Sequence, residues 1–176
     1  VWAWCQQQIP EAKRYMTTLI EQCDRPTALT AMIQAGVRSE SESALHALMV
    51  RTLRHWSRVP QGRWSSFSYD ESKRPLSEAL CARSTLARAG EQGRAAILDY
   101  LISRYPDKSL ERMLVPLLRH YPGAVRPRLM LLANPEGSWL EGVRSDSSSP
   151  AAAQRARGRF MQLALMPTES VTEEES

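Results

Sequence analysis

The chain is poor in cysteine, histidine, phenylalanine and lysine, and each shortage narrows what the protein can be. Its 176 residues hold three cysteines, Cys5, Cys23 and Cys81, without a CxxC pair. An odd, widely spaced set argues against a disulfide framework or a zinc ribbon, and for thiols used as small core residues in a reducing compartment. The three histidines, His46, His55 and His120, have no histidine or cysteine three or four residues away. His46 and His55 also fall on opposite faces of one helix, so no metal site is expected. His55 and His120 suit helix ends, where imidazole meets the last carbonyls. With two Phe, the core must be filled by Leu, Met, Ala and Trp. No apolar run approaches the roughly eighteen residues of a membrane span.

Catalytic signatures are also missing. Serines are plentiful, yet there is no GxSxG elbow and no SxxK. None of the eight glycines builds GxGxxG or a phosphate loop. Asp99 and Glu111 sit among ordinary helix residues rather than as paired acids on an apolar face. The chain therefore reads as a non-enzyme, with no catalytic residue, metal or cofactor to assign.

What is present is arginine and helical periodicity. Net charge is +4, with twenty Arg against three Lys. Glu169, Glu173, Glu174 and Glu175 crowd the last residues, so the remainder is more basic than the total. Arginine suits phosphate and carboxylate recognition through its planar fork, although GC-rich codon usage produces the same skew. The basic excess permits an acidic partner without requiring one.

A phrase recurs. Leu48-Met49-Val50-Arg51-Thr52-Leu53-Arg54-His55-Trp56 is echoed by Met113-Leu114-Val115-Pro116-Leu117-Leu118-Arg119-His120-Tyr121, and more loosely by Ile97-Leu98-Asp99-Tyr100-Leu101-Ile102-Ser103-Arg104-Tyr105. Apolar residues at helical spacing, then a cation and an aromatic, describe a helix with a buried stripe reaching its C-terminus. The echoes begin at residues 48, 97 and 113, with none of the constant spacing, about 33–45 residues, of common helical solenoids.

Along the chain, Pro10 opens a helix with Ala12, Tyr15, Met16, Leu19, Ile20 and Cys23 on one face. A second runs from Pro26 through Leu29, Met32 and Ile33, with Gly36 as its C-terminal residue. Ser39 and Glu42 form a capping box for a third, striped by Ala44, Leu45, Leu48, Met49, Thr52, Leu53 and Trp56. These three are expected to pack as antiparallel neighbours. Residues 58–75 lack a helical period and mix bases with aromatics, as functional loops do; a short strand or hairpin fits around Trp64 to Tyr69. Helices resume with Leu76, Leu80, Leu86 and Ala87, pause at Gly90, and continue over 91–105 and 108–121. Pro116 predicts a bend or a fresh start in the last of these. Pro122, Gly123 and Pro127 predict another break, and Asn134–Gly137 a turn.

The fold expected is all-α: an irregular array of six to eight short helices, arranged as helical hairpins, with a C-terminal helical arm and an acidic tail. Its parts are an apolar N-terminal segment (1–8), a helical domain (9–144), a Ser-rich linker (145–150), a basic amphipathic arm (151–167) and the acidic tail (168–176), which is expected to order only on a partner.

Two functions are compatible with this. The first is a non-catalytic helical adaptor or structural subunit of a larger intracellular assembly. It would contact other protein subunits through Trp2 and Trp4 and through Arg155, Arg157, Arg159 and Phe160 of the arm. The second is nucleic-acid binding, RNA above all, by the basic face of residues 51–74. There Arg51, Arg54, Arg58, Arg63, Lys73 and Arg74 meet phosphates and Trp64 stacks on a base. No small-molecule substrate is evident. The cytoplasm is the expected location or, if a targeting peptide preceded Val1, an organelle such as the mitochondrion.

Overall fold

The computed structural model describes residues 14, 33–40, 43–60, 74–144 and 149–167, and everything below concerns these. The protein is all-α, as its periodicity predicts. The described helices are α1 (Ala44–Ser57), α2 (Arg74–Cys81), α3 (Arg83–Arg88), α4 (Gly90–Arg104), α5 (Asp107–His120), α6 (Pro122–Ala133) and α7 (Pro150–Leu165). Residues 33–38 are helical as well, and no strand occurs among the described residues. The expected Trp64–Tyr69 hairpin lies outside them. None of the described helices is long and apolar enough to cross a membrane.

The chain divides into two compact units, Val1–Ser57 with Asp70–Tyr100, and Arg58–Tyr69 with Leu101–Ser176. The division runs through residues 9–144, which the sequence alone presents as one domain.

In the first unit, α1 buries Met49, Thr52, Leu53 and Trp56, with His46 on the same side. Its cap is Ser43, not Ser39: the Ser43 hydroxyl accepts from His46 N at 3.2 Å. Ser39 instead donates its hydroxyl to Gly36 O at 2.7 Å, closing the preceding helical segment. Serine serves either end, because its hydroxyl both donates and accepts. Gly36 is not the last residue of that segment, which continues to residue 38. It is a close-approach glycine: a Cβ there would lie 2.2 Å from Met49 Cβ and 2.9 Å from Leu45 O. The stretch from Leu76 is two helices, because Ala82 adopts an extended backbone between α2 and α3 (φ −58°, ψ 131°). Leu76, Leu80 and Leu86 are buried along it. Gly90 starts α4 with a positive φ of 66°, which glycine adopts without the Cβ penalty. Arg88 joins α3 to the segment before α1 by donating to Val37 O at 2.9 Å.

Buried residues surround α4: Ala96, Ile97, Leu98, Tyr100, Leu101, Ile102 and Ser103 all lie inside. Solvent is met by Glu91 and Gln92 in its first turn and, partly, by Arg94, Ala95 and Asp99.

In the second unit, α5 buries Leu110, Leu114, Leu117 and Leu118. It runs on through Pro116, without the fresh start that is one of the two outcomes expected there. The proline faces solvent, so the carbonyl left without its N–H, that of exposed Arg112, is within reach of water. Tyr121 alone separates α5 from α6. Pro122 opens α6 rather than ending order, at a position where a helix needs no N–H. Pro127, exposed inside α6, is tolerated as Pro116 is. Val125, Leu129 and Leu132 form the buried side of α6.

The segment expected as an arm is helix α7, capped by the Ser149 hydroxyl accepting from Ala152 N at 3.3 Å. It packs along α6 and touches α5, burying Phe160, Leu163 and Ala164. Arg126 fastens its end by donating to Met166 O at 2.9 Å.

Candidate functional site

The described cleft of the second unit has a volume of about 240 Å³ and lies between the start of α5, the end of α6, the 135–144 turn and α7. Its wall carries Asp107, Glu136, Glu141, Arg144 and Arg157. The turn forms because Gly137 takes a positive φ of 72°, and because Ser138 Oγ donates to Pro135 O at 2.6 Å while accepting from Leu140 N at 3.2 Å.

Each of the five charges is engaged. Arg144 reaches Asp107 Oδ1 at 2.8 Å with one Nη and Ile102 O at 2.9 Å with the other. Arg157 Nη1 lies 3.4 Å from Glu136 Oε1. Glu141 Oε2 accepts from Gly137 N at 2.9 Å. A general base needs a free lone pair near its substrate, and a binding arginine needs open N–H groups. Here part of those capacities goes to contacts within the cleft wall and to the backbone. The chemistry is that of a clasp: Arg144 ties the turn to the last residues of α4 and the first of α5.

Of these five the sequence singles out Arg157 alone, as a partner-binding candidate of the arm. Asp107 and Arg144 are far apart along the chain, and only the folded hairpin brings them together. The one local cue was the turn at Asn134–Gly137.

The residues proposed for nucleic acid are distributed differently. Arg51 and Arg54 are exposed on α1, in the first unit. Arg54 Nη2 donates to Gln92 Oε1 at 3.0 Å. Arg58 belongs to the second unit, and its guanidinium carbon sits 3.5 Å from the centroid of the Trp139 ring. That contact is a cation–π pair. The aromatic stacked on this loop's arginine is therefore Trp139, which the sequence gives no reason to choose. Arg74 begins α2; Arg63, Trp64 and Lys73 lie outside the described residues.

Of the partner-binding candidates, Trp2 and Trp4 lie outside the described residues. Arg155 is exposed on α7. Arg157 is held by Glu136, and Arg159 Nε meets Glu111 Oε1 at 2.8 Å. Phe160 is 3% exposed, so its ring belongs to the interior of the second unit.

The histidines fall into two types. His55 and His120 lie in the last turns of α1 and α5, each edge-on to the aromatic that follows, with ring centroids 4.9 and 6.5 Å apart. His46 is buried, and burial, aided by the Arg88 charge, holds its pKa below the ordinary 6.5. It therefore folds neutral. Its contribution to stability is full above about pH 6.5 and is lost as the pH falls below that value towards the depressed folded one. Urea midpoints between about pH 7 and 5 should fall for the wild type. They should fall less for His46→Gln, which has no proton to take up. An equal slope in the variant would show that His46 carries none of it. Burial pushes the Cys81 thiol up to about 12, where it acts as a small apolar side chain rather than a nucleophile.

Among the described residues no group of three or more His, Cys, Asp or Glu is placed to hold a metal ion. Fold and cleft define an all-α protein of short helices whose charged cleft is internally paired. No protein-family model, curated protein or solved structure matches the chain.

Proposed function

We propose that this chain is a non-catalytic helical adaptor or structural subunit of a larger protein assembly in a reducing intracellular compartment. The observation that carries this reading is the pairing of the cleft charges, Asp107 with Arg144, Glu136 with Arg157 and Glu141 with Gly137 N. A cleft of about 240 Å³ whose ionisable groups are already engaged serves geometry, not turnover. Exposed apolar side chains give the second unit something to offer a subunit. Leu165 is 70% exposed at the end of α7, and Met130 is 42% exposed on α6. Arg155, exposed on α7, adds a polar contact.

The nucleic-acid reading draws support from the exposure of Arg51, Arg54 and Arg58. It is weakened where Arg54 is spent on Gln92 and Arg58 on Trp139. Affinity purification of the tagged protein from its native source, with and without nuclease treatment, separates the two. A stoichiometric set of proteins that survives nuclease supports the adaptor. Loss of the bound material on nuclease treatment, with affinity falling steeply in salt, rejects it in favour of nucleic acid.

A further inference from the structure

The described residues of the second unit carry eleven arginines and lysines against four carboxylates. Each carboxylate already meets a donor of the same unit: Asp107 meets Arg144, Glu111 meets Arg159, Glu136 meets Arg157, and Glu141 meets Gly137 N. Lys108 and Arg112 differ. Both are exposed on α5, one turn apart, and among the described residues neither side chain has an ion pair or hydrogen bond. The charge these two offer a partner is therefore positive, with no carboxylate between them.

At about 100° per residue, Lys108, Arg112, Val115 and Arg119 fall within about 60° of one another around α5. Leu110, Leu114, Leu117 and Leu118 are its buried side. Glu111 stands at one edge of the outer face, where Arg159 of α7 takes it. From Lys108 to Arg119 the face is roughly 16 Å long at 1.5 Å per residue. Its middle is apolar, with half-buried Val115 and exposed Pro116, and beyond them lie Arg119 and exposed His120. An apolar centre between charged ends is the anatomy of a protein interface. A nucleic-acid strand carries phosphate all along its length and gains affinity from each cation it meets, so Val115 and Pro116 offer it nothing.

We propose that this face of α5 docks an acidic amphipathic helix of a partner subunit. Carboxylates one turn apart on that helix meet Lys108 and Arg112, and an apolar side chain next to them seats on Val115 and Pro116. The proposal rests on the adaptor reading and adds to it the charge and shape of a partner.

Fluorescence anisotropy with the full chain and a labelled synthetic helix tests it at low ionic strength. The peptide carries glutamates four residues apart, with leucines beside them on the same face. Its control has the same composition with the glutamates spread around the helix. The ordered peptide should bind more tightly than the control. A Lys108→Gln, Arg112→Gln double variant should bind it about fivefold or more weakly, the effect of losing two exposed ion pairs. Both side chains are exposed, so an unchanged thermal midpoint is expected for the variant. Lys108 is one of three lysines, with Lys13 and Lys73, and carbodiimide coupling should join the peptide to Lys108 ahead of the other two. Equal binding of the two peptides would mean diffuse charge attraction and overturn the proposal. So would an affinity unchanged in the double variant, or coupling no stronger at Lys108 than at Lys13 and Lys73. Displacement of the peptide by oligouridylate at lower concentration than by unlabelled peptide would assign the face to phosphate instead. None of these results touches the adaptor reading, which fails only if purification recovers no nuclease-resistant set of proteins.

Discussion

Replacing Phe160 by alanine is expected to destabilise the second unit by about 3–5 kcal/mol, the range for truncating a fully buried aromatic. The ring is 3% exposed, and Leu163 and Ala164 beside it are also buried. Helix α7 packs along α6, so the void would open inside the unit, where neighbours relax only in part. The loss is read as a drop in the urea midpoint without a change in the slope with denaturant. The control is Arg155→Ala, at an exposed site on the same helix, which should move stability by less than about 0.5 kcal/mol. The pair of variants tests whether α7 is integral to the unit or a detachable arm. If Phe160→Ala is as silent as Arg155→Ala, the helix does not pack as described.

Gly36→Ala should destabilise the first unit by about 1–3 kcal/mol, the usual range for overpacking. The sign is the informative part, since alanine in a helix interior is ordinarily about 1 kcal/mol better than glycine. At this position the new methyl would fall 2.2 Å from Met49 Cβ and 2.9 Å from Leu45 O, well inside contact distance. Backbone or Cβ atoms, not flexible side-chain ends, are in the way, so the helices must move apart. Met49→Ala in the same chain cannot relieve the overlap, because its own Cβ remains. Thermal denaturation of Gly36→Ala and of the double variant settles it: a gain in stability would mean that the segment does not approach α1 at Gly36.

Both predictions concern residues whose local pattern is ambiguous. Gly36 follows an apolar run, as a helix C-cap glycine does, and the sequence contains nothing to show that Met49 lies against it. Phe160 stands in a helix after a Ser-rich stretch, preceded by arginines, the pattern of a docking segment. That pattern and the pattern of a packed amphipathic helix differ only in whether another apolar face is available. Val125, Leu129 and Leu132 of α6 supply that face. The prolines are a similar case. Pro116 and Pro127, inside their helices, each remove one backbone hydrogen bond. A break is forced only where the orphaned carbonyl is also cut off from water, and exposure at these two positions leaves it accessible. Ser39 has the capping-box pattern, yet Ser43 caps α1, because the preceding segment runs on to residue 38 and takes the Ser39 hydroxyl for itself.

The clasp at Arg144 was the least legible feature. A charge partner many residues away leaves no periodic trace, and neither Asp107 nor Ile102 is marked by a motif. Arg58 and Trp139 are another such pair, brought together at 3.5 Å. The basic character of α7, by contrast, is readable directly, since its arginines follow one another without an acid between them.

Apolar spacing, proline at first helical turns and glycine at the α3–α4 junction and the 135–144 turn are local properties of the chain. They suffice to establish the all-α class and most helix ends, because each acts within about four residues through sterics and backbone hydrogen bonding. Which stripes face one another, which arginines are spent on partners and where a methyl group no longer fits are set by contacts between distant segments. Those contacts form only when burial of apolar surface draws the helices together. That is why α7 joins the second unit, and why Arg144 meets Asp107 and Arg157 meets Glu136.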